Sequence, residues 1–364
     1  MKLKAGLIGC GRIGTKKHLE AVIKNSDLLE LTAVCDVVKE KAENAANIIE
    51  KSGLKKPKVF TDHRILLEEP LDFVAIATES GKHHDVTLDA LNAGKHVLVE
   101  KPMALSTKDA DEMCSVAEEK NLKLCVCFQN RFNPPIQELR KKVELGAFGK
   151  IFHAHVAVRW NRNKSYYDQA SWRGKWSMDG GVLSNQSTHA IDLLQWMLGG
   201  NVREIYGHIA NLNHPYIEAE DLGIGVVKFE NGSVGIIEGT SNVYPKNLEE
   251  TLAIFGEKGT VVIGGLAVNK ILTWRFENED EHPFMDLPDP ETVYGEGHIP
   301  LYENFAKSIV ENKTPYITGR EGMKALEIIL GIYQSSLENR PIEFPVNFST
   351  EKMKDVTRKE SESL

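Results

Sequence analysis

Residues 4–14 read KAGLIGCGRIG, a short apolar run followed by three glycines in the spacing GxGxxG. The residues that follow can form a helix, and a second apolar run, residues 29–35, ends at Asp36. Strand, glycine turn, helix, second strand and acidic residue thus occur in the order that a dinucleotide-binding site requires. The stretch predicts a Rossmann-type unit at the start of the chain. The alternative is a tight turn in an α/β protein that binds no ligand.

Each glycine of the turn has its own role in this prediction. Gly9 allows the tight turn, Gly11 lets a pyrophosphate approach the backbone, and Gly14 lets the helix lie close to the strand. The phosphates would lie at the helix N-terminus, where free N–H groups and the helix dipole favour an anion. We therefore expect cofactor contacts from Gly9, Gly11, Arg12, Ile13 and Gly14.

The residue at position 36 predicts which dinucleotide is bound. The carboxylate of Asp36 can accept both ribose hydroxyls of NAD and would repel the 2′-phosphate of NADP. Val37 and Val38 follow, so no arginine is present there to receive a phosphate. Lys39 and Lys41 are assigned to the exposed face of the next helix. The predicted cofactor is NAD.

The composition is that of a globular protein large enough for two domains. The chain has 364 residues, 41% hydrophobic and 26% charged, and its formal net charge of −8 disfavours nucleic acid as a partner. No stretch approaches the ~20 apolar residues of a membrane span, and the first residues run directly into a strand without a signal peptide. The cysteines form no CxxC pair and predict a reduced, cytoplasmic protein: Cys10, Cys35, Cys114, Cys125 and Cys127.

The first part of the chain alternates apolar strands with helical patterns, which predicts a parallel, doubly wound α/β sheet. We assign it to an NAD-binding Rossmann domain over residues 1–128. The predicted strands are 4–8, 30–35, 72–77, 95–99 and 123–127. The predicted helices between them include 38–51, 83–92 and 106–119.

The pattern changes after Gly149, where residues 150–160 alternate in the manner of a half-exposed strand. Six similar strands follow, at about 202–212, 223–230, 233–241, 249–256, 259–264 and 270–276. With predicted helices at 181–198, 299–311 and 319–338, they indicate an α+β domain built on a large, mostly antiparallel sheet. We place this substrate and oligomerisation domain at residues 129–348, followed by a polar tail at 349–364. Apolar residues on one face of the sheet would suit a homodimer or homotetramer.

Two segments carry candidate catalytic residues. Glu100-Lys101-Pro102 follows the predicted strand 95–99 directly, and ligands of open α/β sheets bind beyond the carboxyl ends of strands. An ammonium there can stabilise a developing oxyanion, although most single lysines are solvated surface charges. His189 lies four residues after Asn185 and three before Asp192, which could orient it. A histidine can take a hydroxyl proton near neutral pH, although alone it would more often be a hydrogen-bonded core residue.

Together these segments resemble the glucose–fructose oxidoreductase/inositol dehydrogenase/MocA family over nearly the whole chain. The matching motifs are residues 9–14, Asp36, residues 75–78, His83-His84, residues 100–102 and the pattern GGVLxNxxxHxxD over residues 180–192. The resemblance implies a Rossmann domain, a sheet domain and NAD(P)-dependent oxidation or reduction of sugars and cyclitols. It also implies that Lys101 and His189 are catalytic and that the cofactor is contacted by Thr78, His83, Glu100, Lys101 and Gln129.

The chain departs from the family pattern at one position near the candidate base. Asn185 stands where the family often has Asp. An amide cannot relay a proton as a carboxylate does. The common Asp/His relay is therefore not expected in the same form.

Further segments are similar to the branch of the family that oxidises UDP-N-acetylglucosaminuronic acid at C3. They are residues 129–134, 159–160, 166–168, 172–174 and 185–186. An anionic nucleotide sugar needs cations, and Arg131, Arg159, Arg162 and Arg173 can supply bidentate donors. Flat faces for a sugar or uracil come from Trp160, Tyr166, Tyr167 and Trp172. The competing interpretation assigns the tryptophans, Trp172 and Trp176, to packing between domains and the arginines to a solvated face.

We therefore predict an NAD-dependent sugar dehydrogenase that acts on an anionic nucleotide sugar. The alternatives are an unphosphorylated sugar or inositol dehydrogenase and, in another class, a sugar sensor without turnover. No metal is expected, since His83-His84 lacks further ligands at metal-binding spacing. The predicted substrate-binding residues are Lys101, Arg131, Arg159, Tyr166, Trp172, Arg173, Asn185, Gln186 and His189.

Overall fold

A computed structural model of the chain describes residues 2–277 and 295–354. The chain forms two compact units, named unit 1 and unit 2. Unit 1 comprises residues 1–104, 109–129 and 296–323, and unit 2 comprises residues 105–108, 130–295 and 324–364. Each unit consists of separate segments of the chain, whereas a single boundary after residue 128 was predicted. Residues 296–323 return to unit 1 because the helix His298–Val310 packs its aromatic side chains there, with Tyr302 and Phe305 against Phe73.

Unit 1 is built on the predicted parallel sheet, which has six strands in the order β3-β2-β1-β4-β5-β6. This is the strand order of a Rossmann fold. The strands are β1 Leu3–Ile8, β2 Leu29–Cys35, β3 Lys58–Phe60, β4 Phe73–Ile76, β5 His96–Val99 and β6 Leu124–Val126. Sequence patterns missed β3, because a three-residue strand that begins with an exposed lysine has no clear apolar run.

Helices connect the parallel strands of unit 1, so β4 is buried along its whole length. The first helix follows the glycine turn as a π-helical turn, Gly14–His18, that continues into α1, Leu19–Lys24. The others are α2 Lys39–Lys51, α3 His63–Leu67, α4 His83–Asn92, α5 Thr107–Glu119 and α10 His298–Val310, with a short 3₁₀ turn at Ser80–Lys82. A second 3₁₀ turn, Gln129–Phe132, begins at the last residue of this segment of unit 1.

Unit 2 contains an eight-stranded sheet in the order β13-β12-β11-β7-β10-β9-β8-β14. Its strands are β7 Ile151–Arg159, β8 Val202–Ala210, β9 Leu222–Phe229, β10 Val234–Thr240, β11 Glu249–Gly256, β12 Gly259–Gly264, β13 Lys270–Phe276 and β14 Ile342–Glu343. All neighbours pair antiparallel except β7 and β10. The predicted mostly antiparallel sheet is thus confirmed.

Helices cover one face of this sheet. They are α6 Pro134–Glu144, α8 Val182–Asn185, α9 Thr188–Leu198 and α11 Gly319–Glu338. Unit 2 also contains α7 Lys164–Tyr167 and a 3₁₀ turn at Thr350–Met353. Paired glycines allow the close approach of α11, because a Cβ at Gly207 or Gly225 would lie 2.7 or 2.8 Å from the Ile332 side chain. The prediction of a single helix over residues 181–198 is wrong in one respect, because this segment forms two helices, α8 and α9.

Two further expectations concern membranes and the tail. Within the described ranges, no helix is both long and apolar enough to cross a bilayer. The predicted polar tail begins with ordered backbone, since Ser349 bridges to Ser106 and Thr350–Met353 forms the 3₁₀ turn. Residues 355–364 lie outside the described residues.

Candidate active site

The glycine turn of unit 1 has the geometry that a dinucleotide requires. Gly9 has a φ of +98°, and a Cβ there would lie 2.4 Å from the backbone of Ala77. A Cβ at Gly14 would lie 2.3 Å from the carbonyl oxygen of Gly9. At Gly11 nothing lies within 4 Å of such a Cβ, so this side of the turn has room for a pyrophosphate. The turn therefore fits the predicted cofactor.

Asp36 is held against this turn by two backbone donors. Its carboxylate accepts the N–H of Cys10 and the N–H of Val38, both at 2.9 Å. These bonds fix the carboxylate next to the glycine turn, and each oxygen retains acceptor capacity for a ribose hydroxyl. Val37, beside it, is 88% exposed. The position fits recognition of an unphosphorylated ribose.

His83 braces the strand ends on which Thr78 and Lys101 lie. The ring is buried, with Nδ1 at 2.7 Å from the carbonyl oxygen of Pro102 and Nε2 at 3.1 Å from that of Thr78. Burial lowers the pKa of His83, while the bond to Pro102 opposes this shift. The predicted direct contact of His83 with the cofactor stays a prediction, and its structural role is to hold backbone.

Glu100 is the centre of a buried cluster that sequence reasoning missed. Its Oε1 accepts from Nε2 of His18 at 3.0 Å and from Nε2 of His298 at 3.2 Å, and its Oε2 accepts the Lys101 N–H at 3.1 Å. Nδ1 of His18 lies 2.6 Å from the Tyr302 hydroxyl. Burial alone would raise the pKa of Glu100, but the two imidazoles hold it well below the usual value. The Glu100 carboxylate thus links His18, in the helical turn after the glycine turn, to the backbone of Lys101.

Part of this cluster has the residue types of a metal site. Ligand atoms of His18, Glu100 and Cys127 lie within 4.8 Å of one another. However, the imidazole and carboxylate already bond to each other, and burial raises the pKa of Cys127 well above its usual value, which keeps it a thiol. A metal would need the thiolate. The arrangement therefore favours a hydrogen-bonded cluster over a metal centre.

In unit 2, Asn185 links several predicted substrate residues. Its Oδ1 accepts from the Tyr166 hydroxyl at 3.2 Å and from Nε2 of Gln186 at 2.7 Å, and its Nδ2 donates to Asp179. An amide can both accept and donate in this way, whereas an ionised carboxylate can only accept. An aspartate at position 185 would place its carboxylate against that of Asp179. This arrangement gives a local reason for the departure from the family pattern.

Two of the predicted arginines lie on the ring of Tyr166. The guanidinium carbon of Arg173 is 4.2 Å from the ring centroid, and that of Arg162 is 4.9 Å away. Arg173 also donates to the Tyr166 hydroxyl and lies 4.8 Å from the ring of Trp172. Arg162 donates to the carbonyl of Asn161 and to Oδ1 of Asn247. Within residues 2–277 and 295–354, neither guanidinium is paired with a carboxylate, so both retain an uncompensated charge.

The other two arginines that were expected to bind the substrate anion, Arg131 and Arg159, are paired with carboxylates of the protein itself. Arg131, 1% exposed, forms a bidentate pair with Asp192 at 2.7 and 2.6 Å. Arg159 donates to both oxygens of Glu238 and to Glu249. Sequence spacing could not reveal these partners, because the carboxylates lie 61 to 90 residues away along the chain. Both guanidiniums are therefore engaged in internal ion pairs, which disfavours them as anion ligands relative to Arg162 and Arg173.

His189 lies in the first turn of α9 and is 7% exposed. The break between α8 and α9 separates it from Asn185, which ends α8, so the predicted shared face of one helix is not formed. Both oxygens of Asp192 accept from Arg131, and Oδ1 also accepts from Gln195. The ion pair anchors α9, and the orientation of His189 by Asp192 stays a prediction.

Glu220 fixes the start of α8 and was also missed. Its Oε1 accepts the Leu183 N–H at 2.9 Å and the Tyr333 hydroxyl at 2.8 Å, and its backbone carbonyl accepts the Val182 N–H at 3.0 Å. Burial raises the pKa of Glu220 to about 8. The residue thus supplies the first N–H groups of α8 with acceptors, the usual role of a helix cap, from a distant segment of the chain.

The glycine turn, Asp36 and the strand order define an NAD-binding Rossmann domain, and comparison with known proteins assigns it to an oxidoreductase family. The family model "Oxidoreductase family, NAD-binding Rossmann fold" matches residues 3–128, and "GFO/IDH/MocA C-terminal domain" matches residues 136–262. The chain belongs to the GFO/IDH/MocA family. It is an NAD-dependent dehydrogenase of the class that acts on sugar hydroxyl groups.

Individual relatives differ in what their names state. The WlbA dehydrogenase of Bordetella pertussis, solved with NADH and UDP-GlcNAcA, is 36% identical with a TM-score of 0.85, over 95% of this chain and 100% of that chain. Scyllo-inositol 2-dehydrogenase (NAD(+)) of Bacillus subtilis strain 168 is 25% identical over 95% of this chain and 97% of its own length. D-glucoside 3-dehydrogenase of Escherichia coli K12 is 25% identical over 92% of this chain and 95% of its own length.

Proposed function

We propose that the protein oxidises a ring hydroxyl of an anionic nucleotide sugar, such as UDP-N-acetylglucosaminuronic acid, with NAD. The observation that carries the proposal is the pair of guanidiniums, Arg162 and Arg173, on the ring of Tyr166 without a carboxylate partner in the described chain. Half-buried cations without a counter-ion are costly, and a substrate anion would offset that cost. Similarity to the WlbA dehydrogenase solved with UDP-GlcNAcA supports the same substrate class.

The substrate would be held by charge and by flat surfaces. Arginine binds phosphate and carboxylate oxygens through two parallel donors. Arg162 and Arg173 would bind the anionic groups, while Tyr166 and Trp172 offer faces for the sugar or uracil. Asn185 and Gln186, which are linked to the Tyr166 hydroxyl, would contact the sugar hydroxyls.

The chemistry would be divided between two side chains. NAD, when bound, accepts the hydride that leaves the ring carbon. His189 would remove the hydroxyl proton as general base. Lys101 would hydrogen-bond the same oxygen and stabilise its developing negative charge. Both assignments rest on the sequence pattern and on the family resemblance.

Ligand-induced stabilisation tests the substrate class. UDP-N-acetylglucosaminuronic acid is expected to raise Tm at concentrations at which glucose and inositol have no effect, because only the anionic ligand gains charge-assisted bonds. Arg173→Ala is expected to reduce the shift, measured against the Tm of the ligand-free variant. Arg159→Ala is the matched control, since Arg159 is already paired with Glu238 and Glu249.

The outcomes separate the candidate substrates. Stabilisation by inositol or free glucose, without an effect of the nucleotide sugar, would favour the unphosphorylated sugar or inositol dehydrogenase. That alternative is kept because inositol dehydrogenases occur among the relatives. An equal loss in Arg159→Ala and Arg173→Ala would contradict the assignment of the anion to Arg173.

The cofactor preference gives a second prediction. NADH is expected to bind at least about tenfold more tightly than NADPH, because a 2′-phosphate would be placed against the Asp36 carboxylate. Calorimetric titration of both dinucleotides measures the ratio. Asp36→Ala should bring the affinities for NADH and NADPH closer together, chiefly by weakening the binding of NADH. Equal affinity of the unaltered protein for NADH and NADPH would refute the role of Asp36.

Two broader expectations stay proposals. The exposed face of the unit 2 sheet carries a row of paired apolar residues, Tyr206, Val226 and Ile236, each more than a third exposed. Such a face suits packing against a second copy in a homodimer or homotetramer. A cytoplasmic location is consistent with the five free, buried cysteines.

A further inference from the structure

Three N–H donors converge on the carboxylate of Glu100, which lies in the chain between the end of β5 and Lys101. Oε1 faces Nε2 of His18 at 3.0 Å and Nε2 of His298 at 3.2 Å, and Oε2 accepts the N–H of Lys101 at 3.1 Å. An ionised carboxylate can only accept, so both imidazoles present an N–H to it. Glu100 is 6% exposed, and both of its oxygens are therefore already bonded within unit 1.

The two imidazoles that hold Glu100 are themselves buried and packed. One N–H and one lone pair satisfy both contacts of His18, since Nε2 donates to Glu100 and Nδ1 can accept from the Tyr302 hydroxyl at 2.6 Å. The ring of His18 also lies edge-on to the rings of His298 and Tyr302, at 5.4 and 5.7 Å. All three side chains are at most 1% exposed. The carboxylate is thus anchored by side chains that are fixed by their own packing.

The backbone on both sides of Lys101 is held as well. The N–H of Glu100 donates to the carbonyl of Ile76 in β4 at 2.9 Å, and the carbonyl of Pro102 lies 2.7 Å from Nδ1 of His83. Between these bonds, the N–H of Lys101 is bound by the Glu100 carboxylate. The backbone of a lysine sets the direction in which its long side chain starts, and this direction limits where the ammonium can reach.

We propose that Glu100 is a positioning residue that fixes the backbone of Lys101, so that the Lys101 ammonium meets the reacting hydroxyl. The cofactor contact that the family resemblance implies for Glu100 is disfavoured, because its oxygens already accept three N–H groups and its side chain is buried. Glu100 acts through Lys101 and does not touch the substrate. The inference rests on the proposed function only in that Lys101 acts on the substrate oxygen.

Glu100→Gln tests the proposal with almost no change in side-chain shape. Glutamine has one oxygen, so at least one of the three N–H donors is left facing its NH₂ group. We expect kcat with saturating NAD and UDP-N-acetylglucosaminuronic acid to fall by about 10- to 100-fold, because a small displacement of a catalytic group is costly. Kd for NADH should stay within about threefold. A large loss of NADH affinity with unchanged kcat would make Glu100 a cofactor ligand and overturn the proposal.

Asn25→Ala is the control for a general loss of stability in the same region. Nδ2 of Asn25 donates to the carbonyls of Ala21 and Ile299 at 2.9 and 3.0 Å, which joins α1 to α10. The substitution loosens the helix that carries His298 without changing a bond to Glu100. It should lower Tm but keep kcat within about threefold. If Asn25→Ala and Glu100→Gln lost kcat equally at equal Tm, kcat would follow stability, and the positioning role would be refuted.

A double-mutant cycle tests whether Glu100 acts through Lys101. Once Lys101 is replaced by alanine, Glu100→Gln should lower kcat no further, because the group that it positions is gone. Losses that multiply in the double variant would show that Glu100 acts independently of Lys101 and would overturn the proposal. Wild-type kcat in Lys101→Ala itself would place the failure in the proposed chemistry.

Hydrogen exchange of the Lys101 amide needs no substrate. Its signal is identified by NMR of lysine-labelled protein, from its loss in Lys101→Ala. We expect exchange to be at least about tenfold faster in Glu100→Gln, the effect of one lost charge-assisted hydrogen bond, and unchanged in Asn25→Ala. Unchanged exchange in Glu100→Gln would refute the proposal even if the nucleotide sugar is oxidised. Faster exchange in a protein that does not oxidise the nucleotide sugar would instead place the failure in the proposed function.

Discussion

Replacing Lys101 or His189 with alanine is expected to lower kcat by about 100-fold or more, while the affinity for NAD remains nearly unchanged. The reason is that both side chains are assigned to the reacting hydroxyl: one stabilises negative charge on oxygen and the other removes its proton. Lys101 follows β5 in unit 1, and His189 lies in the first turn of α9 in unit 2. Steady-state kinetics with the nucleotide sugar measures kcat, and titration of NADH measures the cofactor affinity.

Matched substitutions separate this effect from a general loss of structure. Lys108→Ala and His63→Ala remove the same residue types from positions outside the proposed site, where His63 pairs with Asp89. Both controls should retain kcat. Wild-type kcat in Lys101→Ala or His189→Ala would show that the assignment of that residue is wrong. On the proposed assignment of both residues to one oxygen, the double variant should lose less than the product of the single losses.

Replacing Arg131 with methionine is expected to lower the free energy of unfolding of unit 2 by about 3–5 kcal/mol. The substitution leaves the buried Asp192 carboxylate without the guanidinium that binds both of its oxygens. It also removes the packing of Arg131 on the ring of Trp196, whose centroid lies 4.7 Å from the guanidinium carbon. All five tryptophans belong to unit 2, so urea unfolding followed by tryptophan fluorescence reports this unit selectively.

The double variant Arg131→Met/Asp192→Leu provides the control. Removing both charges avoids an uncompensated buried carboxylate, so a large part of the lost stability should return. If Arg131 were instead a ligand of the substrate, Arg131→Met would weaken substrate binding with little change in unfolding. That result, or equal destabilisation in the single and double variants, would contradict the role of the ion pair as an anchor of α9.

Much of unit 1 could be predicted from local sequence. The glycine spacing, the apolar strands and Asp36 lie within about 35 residues, and each depends on backbone conformation or strand period that a short segment encodes. The parallel, doubly wound sheet and the cofactor followed from such local patterns, although one of the six strands was missed. The strands of unit 2 could be predicted for the same reason, because alternation along a half-exposed strand is also local.

Local patterns were least informative where a short element depends on packing. The strands Lys58–Phe60 and Ile342–Glu343 have too few residues to show a period. The break between α8 and α9 was hidden in a continuous helical pattern. The start of α8 is capped by Glu220, which lies on a different segment of the chain. No signal within residues 181–198 could have shown that contact.

By itself, the sequence determined the fold class, the nicotinamide cofactor and the residue types available for chemistry. Only the tertiary structure decided which charged groups are paired, because partners of an ion pair are brought together by chain topology and not by spacing. Arg131 and Arg159 are bound to carboxylates 61 and 79 residues away, whereas Arg162 and Arg173 have no such partner in the described residues. His18 meets Tyr302 across 284 residues, and His214 meets Arg162 across 52. A guanidinium becomes an anion-binding group or a structural anchor according to the charge that folding places beside it.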